Sequence, residues 1–140
     1  MRRGDEIMLA TAPEYGTLVE SLIKEELSKD LGKAGMETLA IVLYLGPVSR
    51  SRIDYIRGVH SHFILRNLLV RGLVEKIPHP EDKRAFLYRP TIDLLRHLGI
   101  ARAEDLPDYN TVREEVENFE RAAEKEDGAR GESAERAREE

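Results

Sequence analysis

Cysteine is absent from this 140-residue chain, which excludes disulfides and thiolate metal sites and leaves no argument for an oxidising compartment. Long apolar runs are absent as well. The longest, Leu39 to Leu45, falls far short of the ~20 residues that span a bilayer. Arg2 and Arg3 follow Met1, but no apolar run of signal-peptide length comes after them, so a cytoplasmic protein is expected. Glycine is too scattered to cradle a phosphate: Gly4, Gly16, Gly32, Gly35 and Gly46 make no loop signature. Large apolar side chains run out near the C-terminus. Only Val112, Val116 and Phe119 follow Tyr109, and none lies between Asp127 and Glu140. Such a stretch buries too little surface to offset its ordering entropy, so a disordered acidic tail is predicted over residues 127–140.

What remains is enough for a packed core, since hydrophobic residues make up 41% of the chain. The net charge of −5 hides an asymmetry. Between Pro47 and Pro90 nine basic residues face four acidic ones, so this segment carries +5 and the remainder −10. A basic middle between acidic flanks bears on partners.

Catalytic and metal chemistry find no support. His60 and His62 are two residues apart, about 200° around a helix, which is poor geometry for one metal. His79 lies in a Pro-flanked turn and His97 at a helix end, neither with an evident acid partner, and Glu114-Glu115 sits on a solvated helix. No catalytic residue, metal site or cofactor is expected.

The order of elements is more informative. Glu6 to Thr11 reads as a strand. Thr11 and Glu14 then form a capping box, with Pro13 in the first turn of a helix whose apolar face is Tyr15, Leu18, Val19, Leu22, Ile23 and Leu27. After a polar break at Ser28–Gly32, a helix over about 33–45 is apolar almost all round, hence buried on two sides, and Gly46-Pro47 stops it. Ser49 caps a short helix ending at Gly58. Ser61 caps the next, with Ile64, Leu65, Leu68 and Leu69 inward and Gly72 at its stop. Leu73–Ile77 and Ala85–Arg89 read as two strands around a polar turn, and Thr91 caps a further helix through Leu98. Two short helices on a tight turn, then a hairpin, make a winged helix-turn-helix: mainly α with a small antiparallel β wing. A charged helix is predicted from Tyr109 to about Lys125. The spacing of Val112, Val116 and Phe119 favours packing of its first half on the domain.

These residues resemble a known family. Glu37-Thr38-Leu39-Ala40-Ile41-Val42-Leu43-Tyr44, Pro47-Val48-Ser49-Arg50 and Ile56-Arg57-Gly58-Val59 are similar to segments of segregation and condensation protein B, ScpB. So are Leu65-Arg66-Asn67-Leu68-Leu69-Val70-Arg71-Gly72-Leu73-Val74, Phe86-Leu87-Tyr88 and Glu104-Asp105-Leu106-Pro107. The likeness runs from about Asp5 to Pro107 and implies a non-enzymatic subunit of a bacterial SMC–kleisin complex, associated with the chromosome, that binds the kleisin ScpA and reaches SMC through it. Residues 1–32 look like the remnant (strand plus helix) of a first winged-helix domain, 33–107 like the winged-helix domain proper, and 108–126 like a charged helix beyond it. With most of the first domain missing, the family's usual homodimer is left open. Where the family has Gly-Arg-Pro ahead of the wing's aromatic strand, this chain has Asp82-Lys83-Arg84-Ala85. That wing resembles those of some transcriptional regulators.

Two readings follow, because a winged helix does not fix a function. In the first, Tyr44, Tyr55, Phe63, Phe86 and Tyr88 seat a partner polypeptide, unless each merely fills the core. Phe63 is placed towards the outside, since its neighbours already supply the inward stripe. In the second, Arg57, His60, His62, Arg66, Lys83 and Arg84 contact DNA, as in a winged-helix transcriptional regulator. The first is the main expectation, with DNA binding weak or indirect.

Overall fold

A computed structural model of the chain describes Ile23 and residues 25–139. The strand at Glu6–Thr11 and the capping box at Thr11 lie outside the described residues. The first described helix, α1, spans Glu25–Leu45. It is interrupted at Gly32, whose φ of 70° and ψ of −178° are open to a residue without a Cβ. The polar break expected at Ser28–Gly32 thus narrows to one residue, because Ser28 to Leu31 remain helical. Every side chain from Met36 to Leu45 is buried, as the all-round apolar pattern requires. The Thr38 hydroxyl in that run donates 2.9 Å back to the Ala34 carbonyl.

Pro47, joined to Gly46 by a cis peptide, leads into a two-residue strand β1 (Val48–Ser49). It is too short to show as an alternation in sequence. The helix-turn-helix follows as α2 (Arg50–Arg57) and α3 (His62–Val70). Ser49 caps α2, its hydroxyl accepting from the Arg52 amide at 3.2 Å, and Gly58 ends it in the left-handed region at φ 75°. Leu65 and Leu68 of α3 are fully buried, and Ile64 and Leu69 are packed against the core. The wing is β2 (Val74–Pro78) and β3 (Phe86–Pro90), each displaced about one residue from its expected bounds. The sheet has the antiparallel order β1-β3-β2, with Val48 opposite Tyr88 and Lys76 opposite Tyr88 on the other side. Helix α4 (Ile92–His97) is capped by Thr91, which accepts from the Leu94 amide and donates 2.7 Å to the Gly72 carbonyl. One side chain thus ties α4 to the end of α3.

A 3-10 turn (Ala103–Asp105) leads to the long helix α5, Tyr109–Glu139. Its first half packs on the domain. Val112 and Val116 are fully buried, whereas Phe119 is largely exposed, so the expected packing holds for two of the three apolar residues. Polar contacts reinforce the dock. The Tyr44 hydroxyl donates 2.8 Å to the Pro107 carbonyl, Arg113 Nη1 donates 2.8 Å to the Tyr44 carbonyl, and the Tyr44 and Tyr109 rings stack with centroids 6.1 Å apart. A cation on an orphan carbonyl at the end of α1 is also placed well against the helix dipole. The backbone stays helical to Glu139, through the stretch from Asp127 predicted as disordered. Alanine, glutamate and arginine, the commonest residues of that stretch, are strong helix formers, and a helix already docked through its first half extends at one hydrogen bond per residue. Among the described residues no helix is long and apolar enough to cross a membrane.

Candidate partner-binding surface

Helix α3 lies against the core through Leu65 and Leu68, which turns its opposite face outward. That face carries Phe63 and Val70, 82% and 81% exposed, with Arg66 and Asn67 between them. Phe63 and Val70 are seven residues apart, on one side of the helix. Val59, in the turn before α3, is exposed as well. A large aromatic side chain this open, with apolar neighbours on the same face, makes the face a candidate for an interaction site.

The other aromatic candidates divide. Tyr44 is 1% exposed, so its expected role at a surface is corrected: it is a core residue held by Pro107 and Tyr109. Its position on a helix buried on two sides accounts for this. Burial first, and Asp108 second, push its hydroxyl above the usual tyrosine range. Tyr88 is half-buried against the core. Phe86 and Tyr55 are each nearly half exposed. Tyr55 faces the acidic side of α5; partial desolvation and then Asp127, Glu124, Glu120 and Glu126 raise its hydroxyl. Beside it, Arg52 joins α2 to α5 through a two-pronged pair with Glu120, at 2.8 and 3.0 Å.

The basic candidates also divide. Arg57 points inward, with side-chain exposure of only 6%, and pairs with Glu37 of α1 at 3.4 Å. Its expected contact with DNA is corrected on that ground. A basic residue in the last turn of α2 lies over the core helix, so its charge is spent inside. Arg57 Nη1 donates 3.0 Å to the Ser61 hydroxyl, and the Ser61 amide donates 2.8 Å to Asp54 Oδ1. Ser61 begins α3 but its hydroxyl caps no amide there, being engaged by Arg57 instead. This buried chain of contacts from α1 through α2 to the start of α3 fixes the turn. His60, His62, Arg66, Lys83 and Arg84 are all exposed. They are not one cluster: His62 and Arg84 share a groove, while His60 lies 3.8 Å from Asp54.

That groove runs between the wing and the starts of α2 and α3. Arg50, His62, Lys76, Arg84, Phe86 and Tyr88 line it. Lys76 Nζ sits 4.4 Å above the Phe86 ring, and Arg50 Nη1 lies 3.4 Å from His62 Nδ1. Sequence reasoning missed Arg50 and Lys76. The signal was strand parity, since Lys76, Phe86 and Tyr88 share one sheet face, but it becomes visible only with the pairing register. Among the described residues no cluster of His, Asp and Glu is placed to hold a metal ion.

The family model described as segregation and condensation complex subunit ScpB matches residues 2–109. The chain is 37% identical over 111 residues to segregation and condensation protein B of Moorella thermoacetica, a match covering 79% of this chain and 56% of that protein. It is 34% identical over 114 residues to the protein of the same name from Carboxydothermus hydrogenoformans, covering 81% and 61%. Among solved structures it is similar to ScpB from Mycobacterium tuberculosis, with 35% identity, a TM-score of 0.47 and coverage of 61% and 54%. The chain thus spans a little over half the length of the relatives it matches.

Proposed function

The chain belongs to the family of segregation and condensation complex subunit ScpB, and from that premise we propose that it is a non-enzymatic subunit that binds a kleisin of the ScpA type through its winged helix, residues 33–107. Through the kleisin it joins an SMC complex acting on the chromosome in the cytoplasm. One observation carries this reading: the outward face of α3 presents Phe63, 82% exposed, where a DNA-reading helix needs polar side chains near its start. The inward turn of Arg57 supports it too, by removing a cation from the surface a duplex would meet.

Isothermal titration of this chain with a segment from the middle of the kleisin tests the proposal. Binding is expected with a negative heat-capacity change, the mark of buried apolar surface. Phe63→Ala should weaken it about tenfold or more, as loss of an aromatic anchor does. Absence of measurable affinity at high protein concentration would sink the proposal.

A further inference from the structure

The groove beside the wing is not used by the reading above, which rests on α3 alone. Three cationic side chains, Arg50, Lys76 and Arg84, converge there with His62 around Phe86 and Tyr88. Among the described residues two carboxylates touch this group: Asp54, 3.9 Å from Arg50 Nε and already accepting from the Ser61 amide, and Asp82, whose Oδ1 accepts 3.0 Å from the Arg84 backbone amide rather than its guanidinium. No carboxylate of the described residues pairs with Lys76, Arg84 or His62. Cations gathered with so little compensation hold a positive potential that favours an anionic ligand. The floor is aromatic rather than polar, however, and Lys76 lies over the Phe86 face. A ligand that suits both must carry negative charge and an apolar group together. The groove also continues into the exposed α3 face, because the His62 ring meets Phe63 edge-on at 5.8 Å and 73°.

We propose that this groove takes an acidic polypeptide segment in which carboxylates flank an apolar side chain, so that the kleisin seated on Phe63 continues across the wing as an acidic stretch. This rests on the kleisin reading and adds the chemistry of the partner. A polypeptide is favoured over a nucleic acid because the adjoining face of α3 opens with Phe63 and ends with Val70, 82% and 81% exposed, while Asn67 between them already accepts from Arg71.

The test follows the groove's own resonances by NMR while the full chain is titrated separately with a synthetic peptide of alternating glutamate and leucine, with random-sequence duplex DNA, and with the kleisin segment. The glutamate–leucine peptide should shift Arg50, His62, Lys76 and Phe86. The paired change Lys76→Glu, Arg84→Glu should weaken both peptide and kleisin binding at least tenfold, with Lys76→Gln, Arg84→Gln in between. Both variant positions are in exposed side chains, and unchanged thermal unfolding confirms that the fold is intact. If the kleisin binds equally well after charge reversal, the groove proposal falls while the kleisin reading stands. If the peptide shifts the groove but the kleisin does not bind, the groove's acidic-peptide preference survives and the identity of its partner falls. Groove shifts with duplex alone, or with neither peptide nor duplex, overturn the proposal.

Discussion

Replacing Glu37 by alanine separates a buried structural cation from a surface one. The Glu37 and Arg57 side chains are 12% and 6% exposed, and their charged atoms meet at 3.4 Å. Removing the carboxylate leaves the guanidinium buried with only the Ser61 hydroxyl as partner, and Arg57 Nε is already without one. Breaking a buried pair from one side costs about 3–5 kcal/mol. The long contact and the unpaired Nε place this pair at the lower end, about 3 kcal/mol, a large share of the roughly 5–15 kcal/mol that holds a domain folded. Replacing both partners by apolar residues of similar size, Glu37→Leu with Arg57→Met, should recover most of that loss, since the desolvation penalty disappears together with the attraction. Urea unfolding of Glu37→Ala, and of Glu37→Leu and Arg57→Met singly and together, checks this, reading the midpoint at constant slope. A Glu37→Ala cost below about 1 kcal/mol, or single effects that simply add in the double variant, would refute the burial argument and return Arg57 to the surface candidates.

Other outcomes are equally specific. Tyr44→Phe should cost about 1 kcal/mol by removing the bond to the Pro107 carbonyl. Because the folded Tyr44 hydroxyl is raised, its contribution is fully present below the ordinary tyrosine value of about 10 and is lost as pH rises beyond it, where the unfolded chain ionises first. Alkaline unfolding should therefore begin at higher pH in Tyr44→Phe, followed by circular dichroism. Gly46→Ala should destabilise by about 1–3 kcal/mol, because a Cβ there would lie 2.5 Å from the Val42 carbonyl oxygen and 3.3 Å from the Arg89 Cα; calorimetry measures it. Glu120→Gln should loosen α5 from α2 at a cost of about 1 kcal/mol or less, seen as faster amide exchange over the first half of α5 with the helix-turn-helix unaffected.

Much of this fold was legible because its punctuation is local. Ser49, Gly58, Thr91 and the Gly46-Pro47 stop act through their own neighbours, and each ends or begins an element where expected. The inward stripe of α3 was legible for the same reason, and it placed Phe63 outside by elimination. What was not legible depends on distant partners. Arg57 reads as a surface cation until Glu37, twenty residues earlier, is folded against it. Tyr44 becomes a core residue only once Pro107 and Tyr109 close over it. Arg50 and Lys76 join His62 and Arg84 through a strand register that no short-range pattern encodes. The end of α5 differs from its expectation for another reason: composition argued from a missing core, whereas the backbone there continues a helix already nucleated by its docked first half.

The outer boundary of the sheet has a consequence for crowded conditions. Strand β2, at the margin of the three-stranded sheet, carries Glu75 and Lys76 and finishes at Pro78, with Pro80 just beyond; β1, at the opposite margin, is two residues long. Proline offers no amide to a newcomer, and paired charges resist stacking of like chains. Among the described residues, neighbouring molecules therefore find no long strand edge on which to zip their hairpins into a continuous ribbon, even with Phe63 in water.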